Sequence, residues 1–316
     1  MAQQLAIGVD LGGTTVKTGL IDRDGKIIAQ AKLPTLAEEN PKAVIGQIVK
    51  TIQEVIPHAG GKPIAGIGIG APGLIQNPGG IVKSPPNMKN WDIVPLANEI
   101  SNVFQMRVEV DNDANVAAVA EAKFGAGKDY PNFLFIIWGT GVGGGIIMNG
   151  QIYRGLTGGA GEVGHISINY DGLLCNCGTN GCVEAYVGQR YLSKRTIEKL
   201  KSNPSSKILE LVGGDVEKIS PMYISKAAEA GDVLANEILV EAGTLLGVMI
   251  GGVMNTLDYR VTVIGGGVSA VGDFVYKAIH QSVQKNVQKP LRDGIKIVRA
   301  QLGNDAGIFG AAGMVL

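Results

Sequence analysis

The amino-acid sequence predicts an α/β protein of two domains that begin in the same way. The chain has 316 residues, of which 45% are hydrophobic, so it can bury a large core and is longer than one average domain. The segment 5–28, LAIGVDLGGTTVKTGLIDRDGKII, joins strand-like runs through glycine turns, and the segment 133–153, FLFIIWGTGVGGGIIMNGQIY, repeats that order. Helical and strand-like patterns alternate after each segment. We therefore expect a duplicated α/β architecture with a ligand cleft between the two halves.

The first half carries clear strand and helix signals. After Asn40-Pro41, the apolar residues Val44, Ile48 and Ile52 recur at helical spacing, which predicts an amphipathic helix. The alanine-rich run ANVAAVAEAKF predicts another helix directly after the strand RVEVD. The predicted strands are 5–10, 15–21, 26–33, 64–70 and 107–111, and the predicted helices follow residue 40, lie near 95–105 and cover 114–124.

The second half begins with the repeated hairpin pattern and then becomes mainly helical, from the cysteines to about residue 256. Strands are predicted at 261–267 and 295–300, and a closing helix at 304–316. The domain boundaries that we expect are 1–116 plus 300–316 for a small α/β domain, and 117–299 for a larger one.

Charge and composition restrict the classes of partner. Lys+Arg and Asp+Glu both number 28, so no global basic field attracts nucleic acid or an anionic membrane. The N-terminal residues lack the pattern of a signal peptide, and no apolar stretch is expected to reach the roughly 20 residues that cross a bilayer. These features predict a cytoplasmic protein with a small-molecule ligand, in which thiols stay reduced.

Four glycine clusters are candidates for binding phosphate: DLGGTT at 10–15, GIGIGAPG at 66–73, GTGVGGG at 139–145 and IGGG at 264–267. No P-loop pattern is present, and GTGVGG is followed by strand-like residues where a dinucleotide fold requires a helix. Turns of this kind can offer backbone N–H groups to phosphate oxygens, although glycines also serve simply to make hairpins tight. Asp10, at the end of the first strand, is suitably placed to hold Mg²⁺ directly or through water.

Acidic residues mark two further sites. Asp111, Asn112 and Asp113 lie between a predicted strand and a predicted helix, where one of them could cap the helix. Three such residues exceed what a cap requires, and a carboxylate here could accept a proton from an attacking hydroxyl. Glu162 and His165 lie in the glycine-flanked segment GEVGHISI.

All three cysteines occur between residues 175 and 182, in the stretch CNCGTNGC. A disulfide would leave one cysteine over and is unsuited to a reducing compartment. His165 is the nearest fourth ligand for a tetrahedral site, which predicts structural Zn²⁺ bound by His165, Cys175, Cys177 and Cys182. Such a closed site has no open position for catalysis.

Taken together, these motifs resemble the ROK family (repressor, open reading frame, kinase). The matching stretches are DLGGT, GIGAPG, DNDANVAAVAEA, GTGVGGGI, GEVGH and CNCGTNGCVEAY, in the family's order and spacing, and VIGGGVS extends the match toward the C-terminus. The resemblance implies the two-domain actin-like ATPase fold of hexokinase and ribonuclease H. It also implies transfer of the γ-phosphoryl group of ATP, with Mg²⁺, to a hexose hydroxyl, and a homodimer or homotetramer.

The resemblance assigns roles to individual residues. Asp113 matches the catalytic base, which would deprotonate the sugar 6-hydroxyl, and general-base assistance of this kind contributes roughly 10² to 10⁴ in rate. The implied sugar contacts are Asn112, Asp113, Glu162, His165 and Glu184, together with Asn87 in KSPPNMKNW. The implied ATP and Mg²⁺ contacts are Asp10, Gly12, Gly13, Thr14, Thr140, Gly141, Gly265, Gly266 and Gly267. His165 would serve both zinc and sugar, one ring nitrogen for each.

The expected activity is ATP-dependent phosphorylation of glucose, as in a glucokinase. Nearly the same set of residues serves in kinases for mannose, N-acetylmannosamine, allose and fructose, so these sugars stay open as alternatives. A sugar-responsive repressor would need a helix-turn-helix before the kinase-like body, and the first predicted strand begins at about residue 5. A zinc-stabilised sugar-binding module without turnover is a third alternative.

Overall fold

A computed structural model of the chain describes residues 4–85 and 88–316. The chain divides into two compact units. The first unit comprises the residues up to Pro131 together with Gly145–Gly161 and Ala300–Leu316, and the second comprises Asn132–Gly144 and Glu162–Arg299.

The first stretch of the chain forms a sheet with helices on its faces. Its elements are β1 (Leu5–Leu11), β2 (Thr15–Asp22), β3 (Ile27–Pro34), α1 (Pro41–Val55), β4 (Ile64–Ala71), β5 (Leu74–Gln76), β6 (Ile81–Lys83), β7 (Ile93–Val94), α2 (Leu96–Phe104), β8 (Val108–Asn112) and α3 (Asp113–Phe124). The strand order is β3-β2-β1-β4-β8, in which β1 to β3 form an antiparallel meander and β4 and β8 are parallel to β1. Strands β5, β6 and β7 form a separate small sheet.

The rest of the chain contains β9 (Phe133–Trp138), β10 (Val142–Met148), β11 (Gln151–Tyr153), α4 (Glu184–Val187), α5 (Gln189–Leu200), α6 (Lys207–Leu211), α7 (Pro221–Glu229), α8 (Val233–Leu257), β12 (Val261–Gly265), α9 (Asp273–Asn286), β13 (Lys296–Arg299) and α10 (Ala306–Val315). Its sheet has the order β11-β10-β9-β12-β13, with β12 and β13 parallel to β9. Both sheets therefore place two parallel strands beside a three-strand segment, which confirms the repeat predicted from the sequence.

Helix α10 lies very close to the first sheet. A methyl group added to Gly8 would lie 1.9 Å from the carbonyl oxygen of Ile308, and one added to Gly68 would lie 1.8 Å from that of Ala311. The buried side chains of Ile308 and Ala312 pack with Ala6 and Ile21 in the same region. Glycine is thus required on two neighbouring strands because the helix backbone itself contacts the sheet.

The parallel strands of each sheet end on the same side, with polar residues in the first sheet and glycine turns in the second. In the first sheet, Asp10 lies near the carboxyl end of β1 and Asn112 ends β8. In the second sheet, β9 ends at Trp138 and β12 ends at Gly265, where glycine turns follow. Ligands of open α/β sheets bind beyond the carboxyl ends of the strands, so these edges are where a site is expected.

Helix α8 corrects one expectation from the sequence. It has 25 residues and is long and apolar enough, by length and composition alone, to cross a membrane, whereas no such stretch was expected. However, 56% of its most apolar window is buried inside the protein, and α9 packs against it, with Gly243 and Gly247 close to Val275 and Ser282. A helix that is apolar on most sides is typical of a buried core position.

Candidate functional site

The turn between β1 and β2 carries Gly12, Gly13 and Thr14. The N–H of Gly12 donates to the carbonyl of Thr15 at 3.0 Å, which closes the turn. Thr35 holds it from one side, because its hydroxyl donates to the Gly12 carbonyl at 2.6 Å and its N–H donates to the Thr14 carbonyl at 3.0 Å. Gly13 and Thr14 remain exposed at the tip, where they are accessible to a ligand.

Two carboxylates of the first unit interact beside this turn. Burial is the main cause that raises the pKa of Asp10; Lys17 opposes that rise, and the charge of Asp113 adds to it. The pKa of Asp113 is also raised by burial, although its side chain keeps access to solvent. Hydrogen bonds from backbone N–H groups and from Asn112 partly offset this second shift. Two carboxyl groups whose pKa values are raised together are typical of a functional site.

The junction of β8 and α3 fixes the direction of Asp113. Asn112 is the N-cap of α3: its Oδ1 accepts from the N–H of Ala114 at 2.9 Å, and its Nδ2 donates to the carbonyl of Gly73 at 2.9 Å. Asp113 is the first residue of the helix, and its Oδ1 accepts from the same N–H at 2.8 Å. Helix capping, one of the two roles considered from the sequence, is thus present at Asn112.

The turn between β9 and β10 carries Thr140 and Gly141. The N–H of Gly139 donates to the carbonyl of Gly141 at 3.0 Å, and the N–H of Val142 donates to Oε2 of Glu184 at 2.8 Å. A methyl group on Gly141 would lie 2.2 Å from the same Oε2. Glu184 therefore lies directly on the turn, and one of its oxygens is engaged there. Sequence reasoning placed Glu184 near a ligand but did not anticipate this bond.

The three cysteines and His165 form a compact cluster whose ligand atoms all lie within 4.8 Å of one another. The Sγ atoms of Cys177 and Cys182 are 3.5 Å apart, and the Sγ of Cys175 is 3.7 Å from Nδ1 of His165. Ligands of a tetrahedral zinc ion, with Zn–S bonds of about 2.3 Å, lie about 3.8 Å apart. These four side chains thus fit the coordination geometry of a closed zinc site.

Hydrogen bonds shape the loop of the cluster and its acidity. The hydroxyl of Thr179 lies 3.1 Å from the Sγ of Cys177, and its hydrogen bond is the largest cause that lowers the pKa of Cys177 to about 6. Burial raises the pKa of Cys175 to about 11. The hydroxyl oxygens of Tyr186 and Tyr191 accept from the N–H groups of Leu173 and Asn176. The tyrosines thus hold the backbone around the cysteine cluster.

His165 presents its two ring nitrogens to different neighbours. It lies on the short 3₁₀ helix Val163–His165, with Nδ1 toward the cysteines and Nε2 3.9 Å from Oε2 of Glu162. Glu162 is exposed, with 63% of its side chain accessible. The imidazole can therefore join a metal centre on one side to a solvent-accessible acid on the other.

The glycines after β12 lie beside the turn of β9. Gly266 has φ +92°, and a methyl group on it would lie 2.4 Å from the carbonyl oxygen of Trp138. Gly267 and Val268 line a cavity of about 230 Å³ in the second unit. Helix α7 supplies the opposite lining through Met222, Lys226 and Glu229, among others. The α7 residues were missed from the sequence, because nothing in PMYISKAAEA distinguishes a cavity wall from an ordinary amphipathic helix.

The predicted site residues thus form two groups, one in each unit. The first unit contains Asp10, Gly12, Gly13, Thr14, Asn112 and Asp113, and the second contains Thr140, Gly141, Glu162, His165, Glu184, the cysteines and Gly265–Gly267. Asn87 lies outside the described residues.

Known proteins similar to this chain include glucokinases and a repressor. The sequence profile of the ROK family matches residues 6–316. A glucokinase of Thermotoga maritima is 34% identical over 309 residues, which cover 98% of this chain and 96% of the relative. The structure of a ROK family glucokinase from Streptomyces griseus, in complex with glucose and AMPPNP, is 34% identical with a TM-score of 0.80, and 98% of each chain is covered. The xylose repressor of Bacillus subtilis is 27% identical over 98% of this chain and 77% of the repressor.

The paired sheets and their edge turns define an actin-like ATPase fold, as expected from the sequence. Within that class, the chain belongs to the ROK family.

The contact between Gly141 and Glu184 gives a testable prediction. Gly141→Ala should displace the Glu184 carboxylate and break its bond to the Val142 N–H, at a cost of about 1–3 kcal/mol in the free energy of unfolding. Gly139→Ala is the matched control, because no atom lies within 4 Å of a methyl group placed there. Urea unfolding and amide exchange at Val142 measure the effect. Equal stability of the two variants would contradict the contact.

Proposed function

We propose that this protein is an ATP-dependent hexose kinase that phosphorylates glucose at its 6-hydroxyl. The observation that carries the proposal is the position of Asp113, which is held at the start of α3 with a raised pKa and solvent access, beside Asp10 and the Gly12–Thr14 turn. The similarity to glucokinases of two organisms supports the choice of sugar.

In the proposed reaction, Asp113 acts as the general base. The carboxylate accepts the proton of the 6-hydroxyl while that oxygen forms a bond to the γ-phosphorus of ATP. The bond from the γ-phosphorus to the bridging oxygen breaks, and ADP leaves with the electron pair. A raised pKa suits this role, because a base near the working pH accepts a proton more readily than an ordinary aspartate does.

The glycine turns are proposed to bind the phosphates of ATP. Backbone N–H groups of Gly13, Thr14, Thr140 and Gly141 can donate to phosphate oxygens, and Gly265–Gly267 with the neighbouring cavity would receive the adenosine. Mg²⁺, which neutralises the charge of the phosphates, would be held by Asp10.

The sugar is proposed to contact Asn87, Asn112, Asp113, Glu162, His165 and Glu184. In Glu184, Oε2 accepts from the Val142 N–H at 2.8 Å, whereas Oε1 has only a long 3.9 Å contact with the Sγ of Cys175, so Oε1 is the oxygen proposed to accept from a sugar hydroxyl. The side chain of Asn112 likewise bonds to Ala114 and Gly73, so a sugar hydroxyl would use the second N–H of Nδ2 or the second lone pair of Oδ1.

We further propose that the cysteine cluster with His165 holds structural Zn²⁺. The short distances between the four ligand atoms support this assignment. A bound metal would fix Nδ1 of His165 and leave Nε2 as a donor for the sugar.

We also propose that the protein is a cytoplasmic homodimer or homotetramer that binds neither nucleic acid nor membranes.

A panel of sugars tests the substrate. We expect kcat/KM for ATP-dependent turnover to be highest for glucose, measured by coupled ADP release with glucose, mannose, N-acetylmannosamine, allose and fructose. A higher value of kcat/KM for another hexose would replace glucose as the substrate.

The relation to a xylose repressor supports a second candidate, a sugar-responsive regulator. Sequence-specific DNA binding at physiological salt with no turnover would favour that candidate.

Asp113→Asn tests the base. We expect kcat to fall by roughly 10² to 10⁴ while the affinity for glucose is kept. In the wild type, kcat should decrease as the pH falls, with a midpoint above the ordinary aspartate value of 3.8, because only the ionised carboxylate accepts the proton.

The stability of the same variant provides a control. A raised pKa means that the folded state holds the proton more tightly, so ionisation of Asp113 subtracts from the stability at pH above 3.8. The melting temperature of Asp113→Asn at pH 7 should therefore equal or exceed that of the wild type. A loss confined to KM, or a collapse in stability, would argue against this role.

Cys177→Ala tests the metal site. The wild type, purified without chelators, should contain about one zinc ion per chain, and the variant should lose it because three ligands remain where structural sites use four. Elemental analysis measures the zinc, and His280→Ala is the control, since His280 lies on α9, away from the cluster. Unchanged zinc in Cys177→Ala, or a wild type without zinc, would refute the assignment.

A further inference from the structure

A buried carboxylate lies two residues before the proposed base. Asp111 is 1% exposed. Its Oδ1 accepts from the N–H of Asn112 at 2.8 Å and from Nδ2 of Asn115 at 2.9 Å. Asn115 lies in the first turn of α3, so one oxygen joins the last residues of β8 to the beginning of the helix. Asp113 and Ala114 lie between the two residues that these bonds hold.

The other oxygen of Asp111 binds a cation from a distant part of the sequence. Oδ2 accepts from Nε of Arg154 at 2.6 Å, and 32% of the Arg154 side chain is exposed. Arg154 directly follows β11 and borders a cavity of about 510 Å³ that is also lined by Asn77, Asn98 and Glu109. The guanidinium therefore lies between a buried carboxylate and a polar, solvent-accessible space.

Loss of the Arg154 cation would leave the buried Asp111 carboxylate without a charge partner. A buried carboxylate that lacks a cation destabilises the folded state several times more than an exposed one does, because water cannot replace the lost charge partner. Without Arg154, Asp111 would gain by turning toward the polar cavity to reach water. That rotation would remove the acceptor from the Asn112 N–H and the Asn115 amide, and would release the backbone that carries Asp113.

We propose that Arg154, acting through Asp111, is a positioning residue for Asn112 and Asp113. The arginine holds the Asp111 carboxylate in one orientation, and that carboxylate fixes the backbone from which the base projects. Neither residue is proposed to touch the sugar or ATP. The inference rests on the proposed kinase function, since it concerns the base of that reaction.

The main test is Arg154→Met, which keeps a long apolar side chain and removes the charge. We expect kcat for glucose phosphorylation to fall about 10- to 100-fold, the range that follows when a reacting group is misplaced by about 1 Å. KM for ATP should stay within about twofold, because the variant leaves the glycine turns intact. Hydrogen exchange measured by mass spectrometry should become faster in peptides that cover the β8–α3 junction.

Three further variants separate positioning from a general loss of structure. Arg260→Met is the matched control: Arg260 is similarly exposed and forms an ion pair with Asp258 at 2.8 Å, far along the sequence from the junction. It should leave kcat and junction exchange unchanged. Arg154→Lys should recover part of kcat by restoring a cation. Asp111→Asn combined with Arg154→Met should be more stable than Arg154→Met alone, because no buried charge then lacks a partner.

The outcomes distinguish this inference from the proposed function. If the wild type phosphorylates glucose and Arg154→Met keeps full kcat per folded molecule, the positioning role is wrong and the kinase assignment stands. Unchanged junction exchange in Arg154→Met, or no rescue by lysine, would equally overturn it. If the wild type itself turns over no hexose, the proposed function fails first and the inference falls with it. A selective loss of kcat with faster junction exchange, rescued by lysine, supports it.

Discussion

The bond from the Val142 N–H to Glu184 is the constraint on which the described site of the second unit depends. Glu184 follows Cys182 by two residues, so its carboxylate is placed by the cysteine loop, and yet it binds the turn between β9 and β10. Gly141 has to be glycine because the carboxylate occupies the space of a side chain. The loop that carries the cysteines and the turn that carries Thr140 are therefore fixed by one shared group.

In the first unit, a carboxylate likewise holds the backbone, at the junction of β8 and α3. The Asp111 carboxylate accepts from backbone and side-chain N–H groups at the β8–α3 junction, just as Glu184 accepts from a backbone N–H at the β9–β10 turn. Hydrogen bonds to ionised acceptors are roughly twice as strong as neutral ones. Such bonds can hold irregular backbone in place where no ladder of a helix or sheet reaches. The Asp111 and Glu184 carboxylates both bind backbone where strands of a sheet end and regular hydrogen bonding stops.

The elements predicted from the sequence were those with a strong local signal. Alternating apolar residues and glycine turns identified β1, β2, β9 and β10, and the spacing from Val44 to Ile52 identified α1. The cysteine cluster was predictable because coordination chemistry fixes the number and type of its ligands, which left His165 as the fourth. In each of these cases the information lies within a few residues or in a rule of chemistry.

The rest depended on pairs far apart in the chain. Arg154 is 43 residues from Asp111, and Glu184 is 42 residues from Val142, so no local pattern connects them. The same reason explains why the cavity wall on α7 was missed. It also explains why the sequence does not tell whether α8 is a core helix, because a helix's surroundings decide whether its apolar faces are buried.

These long-range bonds also give Asp111 and Asp113 different surroundings. Asp113 keeps solvent access and a raised pKa, which suit a group that must gain and lose a proton. Asp111 is buried against Arg154, whose guanidinium holds the carboxylate in one orientation. Adjacent carboxylates of one motif are therefore suited to different tasks by their surroundings alone. The residue type states only that an acid is present, and the partner decides whether that acid can react or can only hold its neighbour in place.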